Sequence, residues 1–444
     1  MRTSADLTGV SHLTGQRYLT EPELLASARA LSGSRPDLCR LRRVGRSRAG
    51  RPISLLSVGR ARRSVLVVAG AHANEPVGGP TTLSLVERVL QDGALRAATS
   101  WHFLLCADPD GAALHHSLSP TSLYDYHRRF FRPAGPEQPE WAPSVLPPER
   151  LPPETRALLR VIDEVRPYLQ VSLHGTDMGG SWVQLTRDIP GLAEPFAKSA
   201  AQLHIPVETN TSDAAGWPVS GPGVHVMPEP GTDTSFPSLP DDWTRSTWHH
   251  AHRYGGLTAI VEVPMWASDL VDDPARHPAA PAAMERIARR LGEQAGQVEE
   301  FLVGAGLGEG DDDDGDGDGA ANGGEGLVPA GVAPLLRASR WALGLAPGLA
   351  RDWLAPPPPG ASMTYVSSID AFGRRIPLRA AAMLLRVLRE TGHPSAPRLD
   401  ELVAHWSDAF AGHFRARWVP VEHQAEHQAR TVIAAARHAR MTAL

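Results

Sequence analysis

Lysine is almost missing from this chain: Lys198 is the only one among 444 residues. Arginine supplies nearly all the basic charge, a compositional bias that says nothing about a nucleic-acid partner. The net charge of −5 excludes a nucleic-acid binder of the usual basic kind. Cysteine is scarce too. Cys39 and Cys106 have no metal-type spacing, which rules out a disulfide framework. Cys106 lies in the apolar run from Trp101 to Ala107 and reads as a buried thiol. No apolar run approaches the length of a membrane span, and Met1 to Asp6 contains no apolar signal core. The expectation is a soluble cytoplasmic protein that meets neither membrane nor nucleic acid. No Gly-x-Ser-x-Gly elbow appears, so serine catalysis has no local support.

What is present is a chain long enough for a large core and more than one folded unit. Residues 1–303 read as one α/β unit. Glu21 to Leu31 has helical spacing with Thr20 as its cap. Strands are expected from Arg51 to Val58, from Ser64, and from Trp101 to Ala107, with a helix from Pro80 to Leu90 between the last two. Asp108-Pro-Asp-Gly111 reads as a turn, because proline presets one central position. A helix from Glu154 to Val165 feeds the next strand, and Ala280 to Val303 is long and amphipathic.

Residues 304–326 carry eight acidic groups, many glycines and no base, so they read as a flexible linker. Residues 327–444 read as a helical C-terminal extension. Helices are expected from Leu378 to Thr391, Arg398 to His413 and Glu422 to Met441.

Three places carry chemistry. The strand from Ser64 runs out into His72-Ala-Asn-Glu75; that from Tyr168 ends at His174; that from Leu257 holds Glu262. Open α/β sheets build sites beyond the carboxyl ends of their strands. Two imidazoles and a carboxylate make a three-ligand zinc set, and a further glutamate can serve as base. Pro76, Gly78 and Gly79 follow the His-x-x-Glu pair, so a loop presents it.

The ordered motifs resemble the carboxypeptidase A-like zinc metallocarboxypeptidases. Arg43-Val-Gly-Arg-Ser-Arg-Ala-Gly-Arg-Pro-Ile53, Asp108-Pro-Asp-Gly111 and Tyr254-Gly-Gly-Leu-Thr-Ala-Ile-Val-Glu262 are similar to family segments, as is His72-x-x-Glu75 with the distant His174. The resemblance covers roughly residues 17–303. It implies a mixed, twisted sheet flanked by helices, one zinc ion on His72, Glu75 and His174, and Glu262 as general base. It also implies an oxyanion-stabilising arginine within Tyr126-His-Arg-Arg-Phe-Phe-Arg132. Arg128 is the first expectation and Arg129 the second, with Arg128, Arg129 and Arg132 as candidates for binding substrate.

Two family features lack counterparts. The only asparagines are Asn74, Asn210 and Asn322, and none precedes an arginine, so the usual Asn-Arg carboxylate anchor is missing. No tyrosine stands about twenty residues before Glu262 where the family's mobile tyrosine belongs. The expected substrate is therefore a peptide or an N-acyl amino acid. The second option is similar to the aspartoacylase and succinylglutamate desuccinylase branch, whose Asn-Arg-x-Phe signature His127-Arg-Arg-Phe130 faintly resembles. A non-catalytic scaffold is the alternative from another class. His249, His250 and His252 read as solvent-exposed, as do His423 and His427 on their helix.

Overall fold

The computed structural model describes residues 17–115, 117–228, 242–308 and 328–442. Most of the expected acidic linker lies outside these residues.

Thr20 starts helix α1 (Glu21–Ser34): its hydroxyl accepts the Glu23 amide, and the Glu23 carboxylate accepts the Thr20 amide in return. This reciprocal pair satisfies two donors that no helical bond could reach. Strands β1 (Cys39–Arg46), β2 (Pro52–Val58) and β3 (Ser64–Val68) follow, then α2 (Gly78–Gln91), the short α3 (Gly93–Ala98) and β4 (Ser100–Leu104). Asp108-Pro-Asp-Gly111, expected as a turn, opens the short helix α4 (Pro109–Leu114) instead. Asp108 caps it by accepting the Gly111 amide at 2.8 Å, and Pro109 stands in the first turn, where it loses no bond.

Helices α5 (Leu123–His127), α6 (Ala142–Val145) and α7 (Pro153–Val165) lead to the long strand β5 (Leu169–Gly179). Then come β6 (Trp182–Leu185), α8 (Ala193–Gln202), β7 (Val219–Gly221), β8 (Val224–Val226), α9 (Thr247–His250) and β9 (Leu257–Ala267). The remainder comprises α10 (Ala280–Gly304), α11 (Ala333–Trp353), α12 (Met363–Glu390), α13 (Ala396–His413), β10 (Arg417–Trp418) and α14 (Val421–Thr442).

The strands form one mixed sheet in the order β1-β2-β4-β3-β5-β9-β6-β8-β7, with β10 added beside β9. Its centre is parallel: β4 with β3, β3 with β5, and β5 with β9. Helices cover both faces. Leu66 and Val68 of β3 pack with Leu158, Val161 and Ile162 of α7 on one face. Val65 and Val67 point the other way, into a core shared with α1, α2 and α14. Among the described residues, no helix is long and apolar enough to cross a membrane.

Two features of the C-terminal third differ from expectation. Helix α12 begins fifteen residues before Leu378 and runs through Pro377. An interior proline costs about 3 kcal/mol, but α12 is buried along most of its length and packing outweighs the lost bond. The second difference is topological. After α10–α13 the chain returns to the sheet, where Arg417 and Trp418 pair with Ala267 and Trp266. Helix α14 then lies in the core with Val171, Leu173 and Val261 of β5 and β9. The expected boundary at residue 303 thus separates α14 from the strands it packs on. Helices α10–α13 form their own apolar cluster, which reaches Tyr126, Phe130, Met178 and Met265 near the carboxyl ends of β5 and β9.

Candidate metal centre

Strand β3 stops at Val68, in register with Ser172 of β5. Its exit is sharp: Gly70 has φ +61°, and a Cβ there would lie 2.9 Å from the Cys106 sulfur. Glycine is the residue that fits both demands. The loop then closes a turn in which the Glu75 amide donates to the His72 carbonyl at 3.1 Å. Both side chains face the same point, with His72 Nδ1 3.0 Å from Glu75 Oε2. Tyr126 braces the loop by donating its hydroxyl to the Asn74 carbonyl at 3.0 Å.

His174 and Glu262 were expected where their strands end, but both lie well inside strands of eleven residues. They reach the crevice because β5 and β9 continue past the end of β3. His174 follows Ser172 on the same face of β5, and Glu262 is its register partner on β9. His174 Nδ1 stands 3.0 Å from Glu75 Oε2 and 3.8 Å from Glu262 Oε1. The ligand atoms of His72, Glu75 and His174 all lie within 4.8 Å of one another, and all three residues are buried.

This donor set fits a zinc ion. The imidazoles present Nδ1 inward, and each other nitrogen has a protein acceptor within reach, as metal-ligating histidines require; His72 Nε2 is also approached by the Arg132 guanidinium. His72 Nε2 is 3.1 Å from Gln138 Oε1; His174 Nε2 is 3.0 Å from Glu140 Oε2. Glu140 is itself fixed by the Ser172 hydroxyl at 2.7 Å and the Trp248 indole at 2.8 Å.

Charge balance follows from burial and spacing. Burial pulls His72 down to about 4, helped by the Arg132 guanidinium. Burial opposes charge on His174 as well, but Glu75 and Glu140 overcome it and raise the imidazole well above its usual range. Glu75 is held well below the carboxylate range despite its burial, because both imidazoles stabilise its charge. Burial and the neighbouring Glu75 push Glu262 up to about 8.

The three candidate arginines separate clearly. Arg132 Nη1 donates to Glu75 Oε1 at 2.9 Å, and its Nη2 is 3.1 Å from His72 Nε2. Arg128 instead lies over the Tyr124 ring at 5.6 Å. Arg129 is half-exposed and faces Asp125 at 3.5 Å, one helical turn back. The reason is local: α5 ends at His127, and the chain must pass Phe130 and Phe131, both buried, before a side chain points at the cluster.

Sequence reading missed Gln138 and Glu140. They sit in a proline-rich loop with no periodicity or motif, and only the tertiary fold brings them to the histidines. His427, expected on a solvated face, is fully buried between Ser181 and Ser199, each 2.9 Å away. His249 and His250 are half-buried, and His250 pairs with Asp163 at 2.7 Å.

Residues 24–179 match the family model described as zinc carboxypeptidase, a span that contains His72, Glu75 and His174. The candidate ligands thus lie in a stretch that matches a zinc carboxypeptidase domain. Among solved structures, a metallo-carboxypeptidase from Burkholderia cenocepacia is similar at 19% identity and a TM-score of 0.34. That match covers 53% of this chain and 58% of the other. The carboxypeptidase A of Helicoverpa armigera is similar at 16% identity and a TM-score of 0.38, covering 56% of this chain and 65% of the other. Bovine thrombin-activatable fibrinolysis inhibitor, solved with a tick carboxypeptidase inhibitor, is similar at 14% identity and a TM-score of 0.33. Here 55% of this chain and 86% of the other are covered. No curated protein sequence matches the chain.

Proposed function

We propose that this chain is a cytoplasmic hydrolase of amide bonds in peptide or peptide-like substrates, acting with one zinc ion held by His72, Glu75 and His174. The observation that carries this reading is the convergence of those three ligands within 4.8 Å, with Glu262 beside them in register. Zinc in that position would supply a Lewis acid and an acidified water. Glu262 accepts the proton of the attacking water and returns it to the leaving nitrogen; its buried setting suits a group that must both take and release a proton. Arg132 provides positive charge for the oxygen that becomes anionic in the transition state. Glu140 orients His174, and Gln138 orients His72.

A second reading is deacylation of N-acyl amino acids or small N-acyl amines. It draws support from the missing Asn-Arg carboxylate anchor, because no asparagine of the chain precedes an arginine.

Metal analysis of the purified protein tests the first claim, with one zinc per chain as the expected result. Peptides with free and with amidated C-termini, assayed beside N-acyl amino acids, then separate the substrates. A protein that binds no zinc would sink the reading; one that binds zinc but turns over no amide would leave the scaffold alternative standing.

A further inference from the structure

The face of the sheet opposite the metal centre is held by an unusual set of polar contacts. Helix α14 packs there among apolar residues, yet Gln424, His427, Gln428 and Thr431 are also buried on it. A buried amide or imidazole is tolerated when its hydrogen bonds are made, so the partners of these groups show what they do. Gln428 Nε2 donates to the carbonyl of His174 at 2.6 Å and to the carbonyl of Val261 at 3.0 Å. Its Oε1 accepts the Thr81 hydroxyl at 2.7 Å. The neighbouring His427 meets Ser181 Oγ at 2.9 Å, and that hydroxyl donates to the Glu262 carbonyl at 2.5 Å.

One residue of α14 therefore bonds directly to the backbone of a metal ligand, and the next bonds through Ser181 to the backbone of the base. Strands β5 and β9 are register partners here, His174 with Glu262 and Leu173 with Val261. A single amide group spanning both strands ties the His174 carbonyl to the residue before Glu262. Rotation of either peptide plane would swing a side chain on the opposite face, and metal sites lose affinity when ligands are mis-set by small amounts.

We propose that Gln428, seconded by His427, is a positioning residue that fixes His174 and Glu262 from behind the sheet. This rests on the zinc-hydrolase reading, because it assigns Gln428 a role toward the ion those residues hold. Gln424 offers an internal control. It is equally buried on the same helix, but it accepts the Tyr18 hydroxyl and donates to the Val419 carbonyl, and neither belongs to β5 or β9.

The test compares Gln428→Met and Gln424→Met in the full chain. Zinc affinity is measured by chelator competition at a temperature where circular dichroism shows each variant folded. Gln428→Met should weaken zinc binding about tenfold or more and lower kcat more than it raises KM. Gln424→Met should lose thermal stability but keep the wild-type zinc affinity. Gln428→Glu keeps the size and the Thr81 acceptor while removing both donors; it serves the same comparison if Gln428→Met does not fold. Equal zinc affinity in the Gln428 variants and wild type would overturn the proposal, as would equal losses in the Gln428 and Gln424 variants. If the wild-type chain takes up no zinc, the reading of the centre itself fails, a result distinct from either.

Discussion

His174 and Glu262 face each other across two parallel strands, with His174 Nδ1 3.8 Å from Glu262 Oε1. A proposed ligand and a proposed base are thus spaced by the sheet's own ladder. Removing the carboxylate should leave this spacing intact while removing the proton acceptor. Glu262→Gln should retain zinc and lower kcat by about 10²–10⁴-fold. Metal content and steady-state kinetics on the same preparation check this; a variant with near wild-type turnover would exclude Glu262 as the base.

Arg132 and Arg128 make opposite forecasts. Arg132 touches Glu75 and His72, whereas Arg128 lies over the Tyr124 ring. Arg132→Ala should lower kcat by about 10²–10³-fold if it meets the developing oxyanion. Arg128→Ala should change kcat less than twofold. Kinetics on the two variants would reverse the assignment if Arg128 proved the sensitive one.

Glu140 binds no substrate in the proposed scheme; it sets the His174 ring. Glu140→Gln keeps hydrogen-bonding capacity but loses the charge that holds the Nε2 proton. Zinc affinity should fall about 10–100-fold, as read by chelator competition. Unchanged affinity would mean that Ser172, 2.9 Å from the same nitrogen, is sufficient.

Asp370 predicts acid behaviour in the helical region. It joins Arg290 of α10, Arg374 of α12 and His413 of α13, and these partners outweigh its burial to hold it down at about 2. The folded value lies below the unfolded one, so Asp370 adds stability above about pH 4. That contribution disappears as pH falls towards 2, and the difference is worth on the order of 2 kcal/mol. Asp370→Asn should be less stable at neutral pH and lose less on acidification. Urea unfolding at pH 7 and pH 3 tests this, and parallel losses in both proteins would count against it.

Much of the site was legible because its chemistry is local. His72 and Glu75 are three residues apart after an unmistakable strand, and His174 and Glu262 sit in apolar runs that only strands explain. The same runs marked an α/β unit, while the mixed sheet was what the family resemblance implied. Glu140, Gln138 and Gln428 left no such trace. Their roles depend on partners 34, 66 and 254 residues away, which only the folded chain supplies. The choice among Arg128, Arg129 and Arg132 turned on where α5 stops, a boundary of a few residues that spacing does not define. The helix expected from Leu378 starts at Met363 instead, and Pro377 is carried inside α12 by burial.

The return of α14 to the sheet also bears on how the molecule is made. The bonds from Gln428 to His174 and Val261 join segments that leave the ribosome far apart in time, with four helices synthesised between them. Contacts of such sequence separation form slowly. A nascent or proteolysed chain ending near residue 303 would carry the proposed ligands and the proposed base yet lack the helix behind them. Under the proposed role of Gln428, such a chain would hold zinc more weakly than one in which α14 has packed on the sheet.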